Sequence, residues 1–364
     1  MHRIKIGFLG AGGIARAHAY SLRSLPFYYD NAPEMEFLSV ASARKESRAN
    51  FVHRYGFQNA VNVQEFSLNP DINTVFILTP NNVHYEHLRL ALNMTQVKRI
   101  YIEKPVCSSM DEEVAIRDLL PGIDPDISIQ IGFQYLQAAA LREALMFWRS
   151  GKLGMPIHFD LKYYHGDYLQ QSYREKRRSR LTNAPEGGAM ADLGSHGLSL
   201  LAAFFNEDLQ IVNAVQAGKF DDVPEGSDLY SSISLFDKVS GAVGQMSASR
   251  VSSGAGDLIS LEIYAEKGAL RYSSQNADFF EYYLEETGHW VRQPVGSNYK
   301  PATSFPSGHA SAGWLRALVH AHYIFLTGDY RNSFIPGLKH GIAVQRMVRE
   351  TADFLKIFRD KIAG

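Results

Sequence analysis

The sequence predicts an α/β fold in which an N-terminal doubly wound parallel sheet precedes an α+β part with a large, mainly antiparallel open sheet. Three observations support this prediction. Short apolar runs alternate with helix-spaced segments over roughly the first third of the chain. After about Gly151 the predicted strands follow one another with little helix between them. A glycine-rich turn joins the first strand to the first helix.

The early apolar runs are short, rich in β-branched residues and bounded by Gly, Pro, Asn or Asp, as expected of buried parallel strands. They occupy residues 4–9, 37–41, 74–78, 99–102 and 127–131. The segments between them carry apolar residues at helical spacing, which favours strand–helix alternation in one parallel sheet.

The later strands often alternate polar with apolar residues, as antiparallel strands with one solvated face do. They are predicted at 156–164, 209–217, 230–236, 241–250, 259–264 and 269–272. A helix near 189–205 interrupts them, and two more helices close the chain. The change of pattern predicts a domain of residues 1–133 followed by one of residues 134–364.

Composition excludes several classes of protein. Of 364 residues, 45% are hydrophobic and 21% charged, which excludes a disordered or fibrous chain. The net charge of −1 offers no field for nucleic acid or an anionic membrane. The single cysteine, Cys107, forms no internal disulfide, and we identify no metal-ligand set. Without a leader or an apolar run long enough to span a bilayer, we expect a soluble cytoplasmic protein.

Residues 10–15, GAGGIA, fit the dinucleotide fingerprint G-x-G-x-x-G/A. Gly10 permits the tight turn, Gly12 lets the backbone approach a pyrophosphate, and Ala15 allows close packing of helix on sheet. Gly13 and Ile14 open the helix, whose free N–H groups face the anion. The position between strand and helix predicts dinucleotide binding rather than a structural turn.

The end of the second predicted strand bears on the choice of cofactor. An Asp or Glu here would bind the ribose of NAD, but the chain has Ser42, Ala43, Arg44 and Lys45. A hydroxyl followed by two cations suits the 2′-phosphate of NADP, with Arg44 as the principal contact. The sequence favours NADP over NAD, and NAD stays open.

Three further strings follow predicted strands or open a helix: TPNNVH at 79–84, EKP at 103–105 and GGAMADLGSH at 187–196. In this order, after the glycine fingerprint, they resemble the glucose-fructose oxidoreductase / inositol dehydrogenase (Gfo/Idh/MocA) family. The resemblance spans most of the chain and includes AEKGAL at 265–270. It implies a Rossmann domain, an oligomerisation and substrate domain, and an NAD(P)-dependent oxidoreductase.

The resemblance implies catalytic roles for Lys104, Asp192 and His196, whose family counterparts surround the reacting carbinol. Either Lys104 or His196 takes the hydroxyl proton. Asp192 either orients the imidazole or binds a substrate hydroxyl. The resemblance also suggests a cis peptide between Lys104 and Pro105.

Further contacts are expected from the same strings. The expected cofactor contacts are Thr79, Pro80, Asn81, His84, Glu103, Lys104 and Gln134. Substrate is expected to meet Lys104, Asp192, His196 and three residues suited to a sugar ring: Tyr163, Tyr168 and Arg174. Five of the seven residues 174–180 are basic, which we interpret as a solvated loop in preference to a phosphate site. His309 and Trp314 are interpreted as core residues in preference to pocket residues.

The predicted reaction is hydride transfer between a nicotinamide cofactor and a carbinol or carbonyl carbon of a sugar, cyclitol or related polyol. Two alternatives share the fold: an NAD-assisted glycosidase and a non-catalytic, dinucleotide-dependent regulator. Retention of Lys104, Asp192 and His196 together argues against the regulator. Relatives associate through the open face of the second sheet, so we expect a homodimer or homotetramer.

Overall fold

The computed structural model describes residues 3–182, 187–217, 220–296, 299 and 313–363. The chain forms two compact units. The first contains residues up to 138 and those described between 299 and 342, and the second contains residues 139–296 and those from 343 onward. The sequence placed a single division at 133/134, whereas the first unit also includes a late segment of the chain.

The first unit contains a six-stranded sheet in which all strands are parallel, in the order β3-β2-β1-β4-β5-β6. The strands are β1 Ile4–Leu9, β2 Met35–Ala41, β3 Asn59–Val61, β4 Thr74–Ile77, β5 Arg99–Ile102 and β6 Ser128–Ile131. The predicted doubly wound parallel sheet is confirmed. β3 was not predicted, because it is a short edge strand whose residues are exposed or half-buried.

Helices connect these strands, and local sequence explains where several of them begin and end. They are α1 Gly13–Tyr28, α2 Lys45–Tyr55, α3 Val63–Ser67, α4 His84–Leu92 and α5 Met110–Leu119. Gly56 ends α2 in the left-handed conformation, with φ of 69°. Asn62 and Glu65 form a capping box at the start of α3.

The late segment of the first unit contains α9, Trp314–Thr327, and the start of α10, Leu338–Ala363. Side chains of α9 join the core that surrounds Phe8, and Tyr323 stacks on Tyr29 with ring centroids 3.8 Å apart. Trp314 is half-buried at the start of α9, and His309 lies outside the described residues. The helix therefore belongs to the core of the first unit.

The second unit contains an eight-stranded sheet in the order β14-β13-β12-β11-β7-β10-β9-β8. Its strands are β7 Pro156–Tyr164, β8 Gln210–Ala217, β9 Tyr230–Phe236, β10 Val243–Ser249, β11 Leu258–Ala265, β12 Gly268–Ser273, β13 Phe279–Leu284 and β14 His289–Pro294. Only β7 and β10 pair in parallel, so the predicted, mainly antiparallel sheet is confirmed. β13 and β14 were not predicted, since neither alternates cleanly between polar and apolar residues.

The helices of the second unit are α6 Ala139–Arg149, α7 Gln171–Lys176, α8 Ser195–Phe204 and the greater part of α10. A π-helical turn, Met190–Gly194, directly precedes α8. Every residue of α8 is buried. The predicted helix near 189–205 is therefore present, but its first part has π rather than α geometry.

Candidate active site

The glycine loop after β1 has the geometry that an anion-binding turn needs. Gly10 has φ of 121°, and a Cβ there would lie 2.5 Å from the carbonyl oxygen of Leu78, so no larger residue fits. A Cβ on Gly12 would meet nothing within 4 Å, which leaves open space over the loop. Ala15 is fully buried, whereas Ile14 is partly exposed. The loop therefore suits the pyrophosphate of a dinucleotide at the N-terminus of α1.

The end of β2 presents cations and no carboxylate before Glu46. The side chains of Arg44 and Lys45 are exposed. Ser42 Oγ donates to the carbonyl oxygen of Arg44 at 3.2 Å, and Arg48 Nη1 donates to the carbonyl oxygen of Ser42 at 2.8 Å. Arg48 is a third cation that the sequence analysis did not name, although it lies one helical turn after Arg44.

Thr79–Asn81 follow β4, and Glu103 and Lys104 follow β5, its neighbour in the sheet. The carboxyl ends of parallel neighbours meet at one edge, so these residues share the edge at which open α/β sheets bind ligands. Lys104 and Gln134 are half-buried, and Pro80 is exposed. The peptide between Lys104 and Pro105 is cis, as the resemblance suggested.

His84 connects the two loops that follow β4 and β5. Its Nε2 lies 2.8 Å from the carbonyl oxygen of Thr79, and its Nδ1 lies 2.8 Å from that of Pro105. Burial lowers the pKa of His84, although the two carbonyl oxygens act in the opposite direction. His84 is 1% exposed and connects the two loops, and its cofactor contact stays a prediction.

Glu103 is also buried, and its Oε1 lies 2.8 Å from Nε2 of His18. A Cβ on Gly132 would lie 2.7 Å from the same oxygen, so glycine is required beside this carboxylate. His18 was not identified from the sequence, since it lies inside α1 among apolar residues.

In the second unit, buried Asp228 fixes the start of the helix that carries the GGAMADLGSH string. The N–H of Met190 donates to Asp228 Oδ2 at 2.8 Å, and the N–H of Ala189 donates to the carbonyl oxygen of Asp228 at 2.8 Å. Gly188 has φ of 83°, and a Cβ there would lie 2.6 Å from Cβ of Asp228. Burial raises the pKa of Asp228, and the hydrogen bonds that its carboxylate accepts from the Ser231 hydroxyl and the Met190 N–H partly offset this. This cap determines where the π-helical turn begins.

Asp192, within that turn, forms an ion pair with Arg250. Arg250 Nη2 donates to Asp192 Oδ2 at 2.8 Å, and Nη1 donates to the carbonyl oxygen of Arg180 at 2.9 Å. The Arg250 side chain is 1% exposed, and its guanidinium carbon lies 4.7 Å from the ring centroid of Tyr168. Arg180 adds a second, more distant cation, with Nη1 3.8 Å from Asp192 Oδ2. No role for Arg250 was predicted from the sequence. The local signal that could have indicated one is an arginine directly after a strand of small and apolar residues.

His196 and Tyr163 are both buried, and their ring centroids lie 6.2 Å apart. The structure thus brings together two predicted site residues within one unit.

Two predicted substrate contacts, Tyr168 and Arg174, pack and bond within the fold, and their contact with substrate stays a prediction. Tyr168 is 2% exposed and lies beneath the Arg250 guanidinium. All three side-chain nitrogens of Arg174 donate to protein acceptors, namely both oxygens of Asp222 and the carbonyl oxygens of Tyr168 and Leu169. The bulk of Tyr168 and the charge of Arg174 are therefore used within the fold.

Two family models match this chain. One, described as an oxidoreductase family with an NAD-binding Rossmann fold, matches residues 4–121, and the other, a GFO/IDH/MocA C-terminal domain, matches residues 141–271. The chain belongs to the Gfo/Idh/MocA oxidoreductase family. The resemblance inferred from the glycine fingerprint and the three strings is thereby confirmed.

Two named dehydrogenases are similar to this chain. Levoglucosan dehydrogenase of Pseudarthrobacter phenanthrenivorans is 26% identical over 76% of this chain and 75% of its own length. Glucose-6-phosphate 3-dehydrogenase of Bacillus subtilis is 27% identical over 58% of this chain and 57% of its own length.

Solved structures of the same family share the fold. A levoglucosan dehydrogenase in complex with NADH and levoglucosan has a TM-score of 0.80 at 19% identity, covering 97% of this chain and 98% of that one. An inositol dehydrogenase homologue from Azotobacter vinelandii, in complex with NAD⁺, has a TM-score of 0.77 at 16% identity, covering 98% of this chain and 96% of that one.

Neither a metal site nor a membrane span was predicted from the sequence. Over the described residues, His, Cys, Asp and Glu side chains form no group of three or more that could hold a metal ion. Within those same parts of the chain, no helix combines the length and the apolar character needed to cross a membrane.

Proposed function

We propose that this protein is an NAD(P)-dependent dehydrogenase or reductase acting on a CH–OH group of a sugar, cyclitol or related polyol. The observation that carries the proposal is that two predicted site features lie at one edge of the first sheet. The glycine loop follows β1 there, and the Lys104 amine follows β5 at the same edge. The sugar-dehydrogenase names of the two similar family members support the substrate class.

The residues of the first unit would hold the cofactor. The loop of Gly10, Gly12 and Gly13 would bind the pyrophosphate at the start of α1. Thr79, Pro80, Asn81 and Gln134 would lie on the nicotinamide side. Arg44 and Lys45 would bind a 2′-phosphate, and the absence of a carboxylate from residues 41–45 favours NADP over NAD.

When bound, the nicotinamide cofactor supplies the hydride acceptor at its C4. In the oxidising direction, the carbinol C–H bond breaks with its electron pair while the hydroxyl proton passes to Lys104 or His196, leaving a carbonyl. If His196 takes that proton, Lys104 acts instead as an ammonium that stabilises negative charge on the reacting oxygen. Asp192, in its ion pair with Arg250, would accept a hydrogen bond from a substrate hydroxyl.

The test is a cofactor-absorbance screen of a panel of neutral sugars, cyclitols, polyols and phosphorylated sugars with NADP⁺ and NAD⁺. We expect reduction of the cofactor by at least one neutral compound. Lys104→Ala should keep the dissociation constant of the cofactor within about threefold while turnover falls by about 10²-fold or more. A variant that turns over normally would contradict the role of Lys104.

We also propose a homodimer or homotetramer of a cytoplasmic enzyme, associated through the open face of the second sheet. Along β7, Phe159 and Leu161 are buried while the alternate residues His158, Asp160 and Lys162 are exposed. The described residues thus leave one face of this strand uncovered. Sedimentation of the purified protein tests the association, and a monomer at micromolar concentration would contradict it.

A further inference from the structure

Four buried side chains form a hydrogen-bonded chain inside the first unit, and of these only Glu103 is among the cofactor contacts expected from the sequence. Glu103 Oε1 lies 2.8 Å from His18 Nε2, and His18 Nδ1 lies 2.9 Å from Nε2 of His322. Nδ1 of His322 in turn lies 2.7 Å from Oγ of Ser21. The chain connects the end of β5 to α1 and to α9, which is more than 300 residues away from α1 in sequence.

The surroundings of this chain are apolar and aromatic. His18, Ser21 and His322 are fully buried. The rings of Phe76 and Tyr101 lie with their centroids 5.1–6.0 Å from both imidazoles. In such surroundings hydrogen bonds are strong, and an unpaired carboxylate would cost several kcal/mol. The position of the Glu103 carboxylate therefore depends on its hydrogen bond to His18.

His322 determines how His18 is held. Burial, together with the neighbouring His18, places the pKa of His322 well below its ordinary value, so its ring is neutral near pH 7. A neutral imidazole has one donor nitrogen and one acceptor nitrogen, and each faces a partner here. His18 Nδ1 thus faces His322, and because an ionised carboxylate only accepts hydrogen bonds, His18 Nε2 donates to Glu103 when that carboxylate is charged.

We propose that His18 and His322 are positioning residues for Glu103: the two rings fix its carboxylate at the carboxyl end of β5, where it favours the oxidised, cationic nicotinamide over the reduced, neutral one. The inference rests on the proposed function, which brings a nicotinamide to this edge. Its physical basis is that a fixed carboxylate attracts a cationic ring and not a neutral one, most strongly where water is excluded.

The experiment measures the dissociation constants of the oxidised and the reduced cofactor separately, by calorimetry and by cofactor fluorescence, without substrate. Glu103→Gln removes the charge at nearly constant shape, and we expect it to weaken binding of the oxidised form relative to the reduced form by about tenfold. His322→Leu should shift the same ratio in the same direction by about three- to tenfold. His322→Gln, which keeps a hydrogen bond to His18, should have a ratio close to that of the wild-type protein.

The matched control is His320→Leu. His320 is a second fully buried histidine of α9, and its Nδ1 lies 2.8 Å from the hydroxyl of Tyr29, so its ring contacts a different partner. We expect it to lower the melting temperature as His322→Leu does while leaving the ratio within twofold of wild type. If His322→Leu does not fold, His18→Asn replaces it, since the shorter amide does not reach Glu103 and should give the same shift.

An unchanged ratio in His322→Leu or its replacement, with a lowered melting temperature, would show a merely structural role and overturn the inference. Equal ratio shifts in His320→Leu and His322→Leu would do the same. Failure of the wild-type protein to bind either form of the cofactor would instead contradict the proposed function itself.

Discussion

Each unit pairs a carboxylate with a buried nitrogen-bearing side chain, but the two partners differ in kind. In the first unit Glu103 is bonded to an imidazole, which is linked to a second imidazole. In the second unit Asp192 is bonded to the guanidinium of Arg250. An arginine keeps its charge at every pH at which a protein is folded, whereas histidine exchanges its proton near neutrality. Charge at Arg250 is therefore fixed, and charge along the histidine chain depends on the environment.

The largest effect is expected from breaking the ion pair of the second unit. Arg250→Met leaves Asp192 without its buried partner and should lower the free energy of unfolding by about 3–5 kcal/mol. In the folded fraction, kcat/KM should fall by about tenfold or more, because Asp192 loses its fixed position. Denaturant unfolding and steady-state kinetics measure the two effects.

Arg174→Met is the matched control for Arg250→Met. It removes another buried arginine, which is paired with Asp222. It should lower stability by a similar amount while kcat/KM of the folded fraction stays within about threefold of wild type. A comparable loss of kcat/KM in both variants would show that Arg250 has only a structural role.

His196→Ala tests whether His196 takes the hydroxyl proton of the substrate. If His196 takes the substrate proton, kcat should fall by about 10²–10⁴-fold while the cofactor binds as in wild type. A fall of less than about threefold would assign the proton to Lys104, and the pH dependence of kcat in the two single variants distinguishes them.

The histidine chain should make stability depend on pH in a way that the arginine pair does not. The pKa of His322 is lowered in the fold, so the unfolded chain takes up a proton where the folded ring stays neutral. His322 thus contributes stability above about pH 6.5 that is lost on acidification, at up to about 1.4 kcal/mol per pH unit. When unfolding is measured at several pH values, the free energy of unfolding of His322→Asn should fall less steeply on acidification than that of the wild-type protein. Burial also lowers the pKa of His84 and His87, so part of the slope should persist.

The smallest effect concerns the exposed cations after β2. Arg44→Ala should weaken NADP⁺ binding by about three- to tenfold and leave NAD⁺ binding unchanged, because an exposed ion pair contributes little. Arg54→Ala, in the last turn of α2, is the control and should change neither constant. An equal loss for both cofactors would remove the argument for NADP.

The features that could be predicted from the sequence are those that neighbouring residues determine. The glycine turn, the strands before Thr79 and Glu103, and the order of the sheets follow from nearby residues and their spacing. Arg250 and His322 were not predicted, because each acquires its partner only through folding: Asp192 is 58 residues from Arg250, and His18 is 304 from His322. The pairing of Arg174 was not predicted for the same reason, since Asp222, which binds its guanidinium, is 48 residues away. The π-helical turn at Met190–Gly194 has no clear signal in composition.

The central claim is hydride transfer between a carbinol carbon and the nicotinamide. The most direct test uses a substrate from the panel deuterated at the reacting carbon, with mass spectrometry of the reduced cofactor. We predict one deuterium at C4 of the nicotinamide with the wild-type protein, and the same labelled cofactor at a rate lower by about 10²-fold or more with Lys104→Ala. Deuterium retained in the product, or lost to water without net reduction of the cofactor, would contradict the claim.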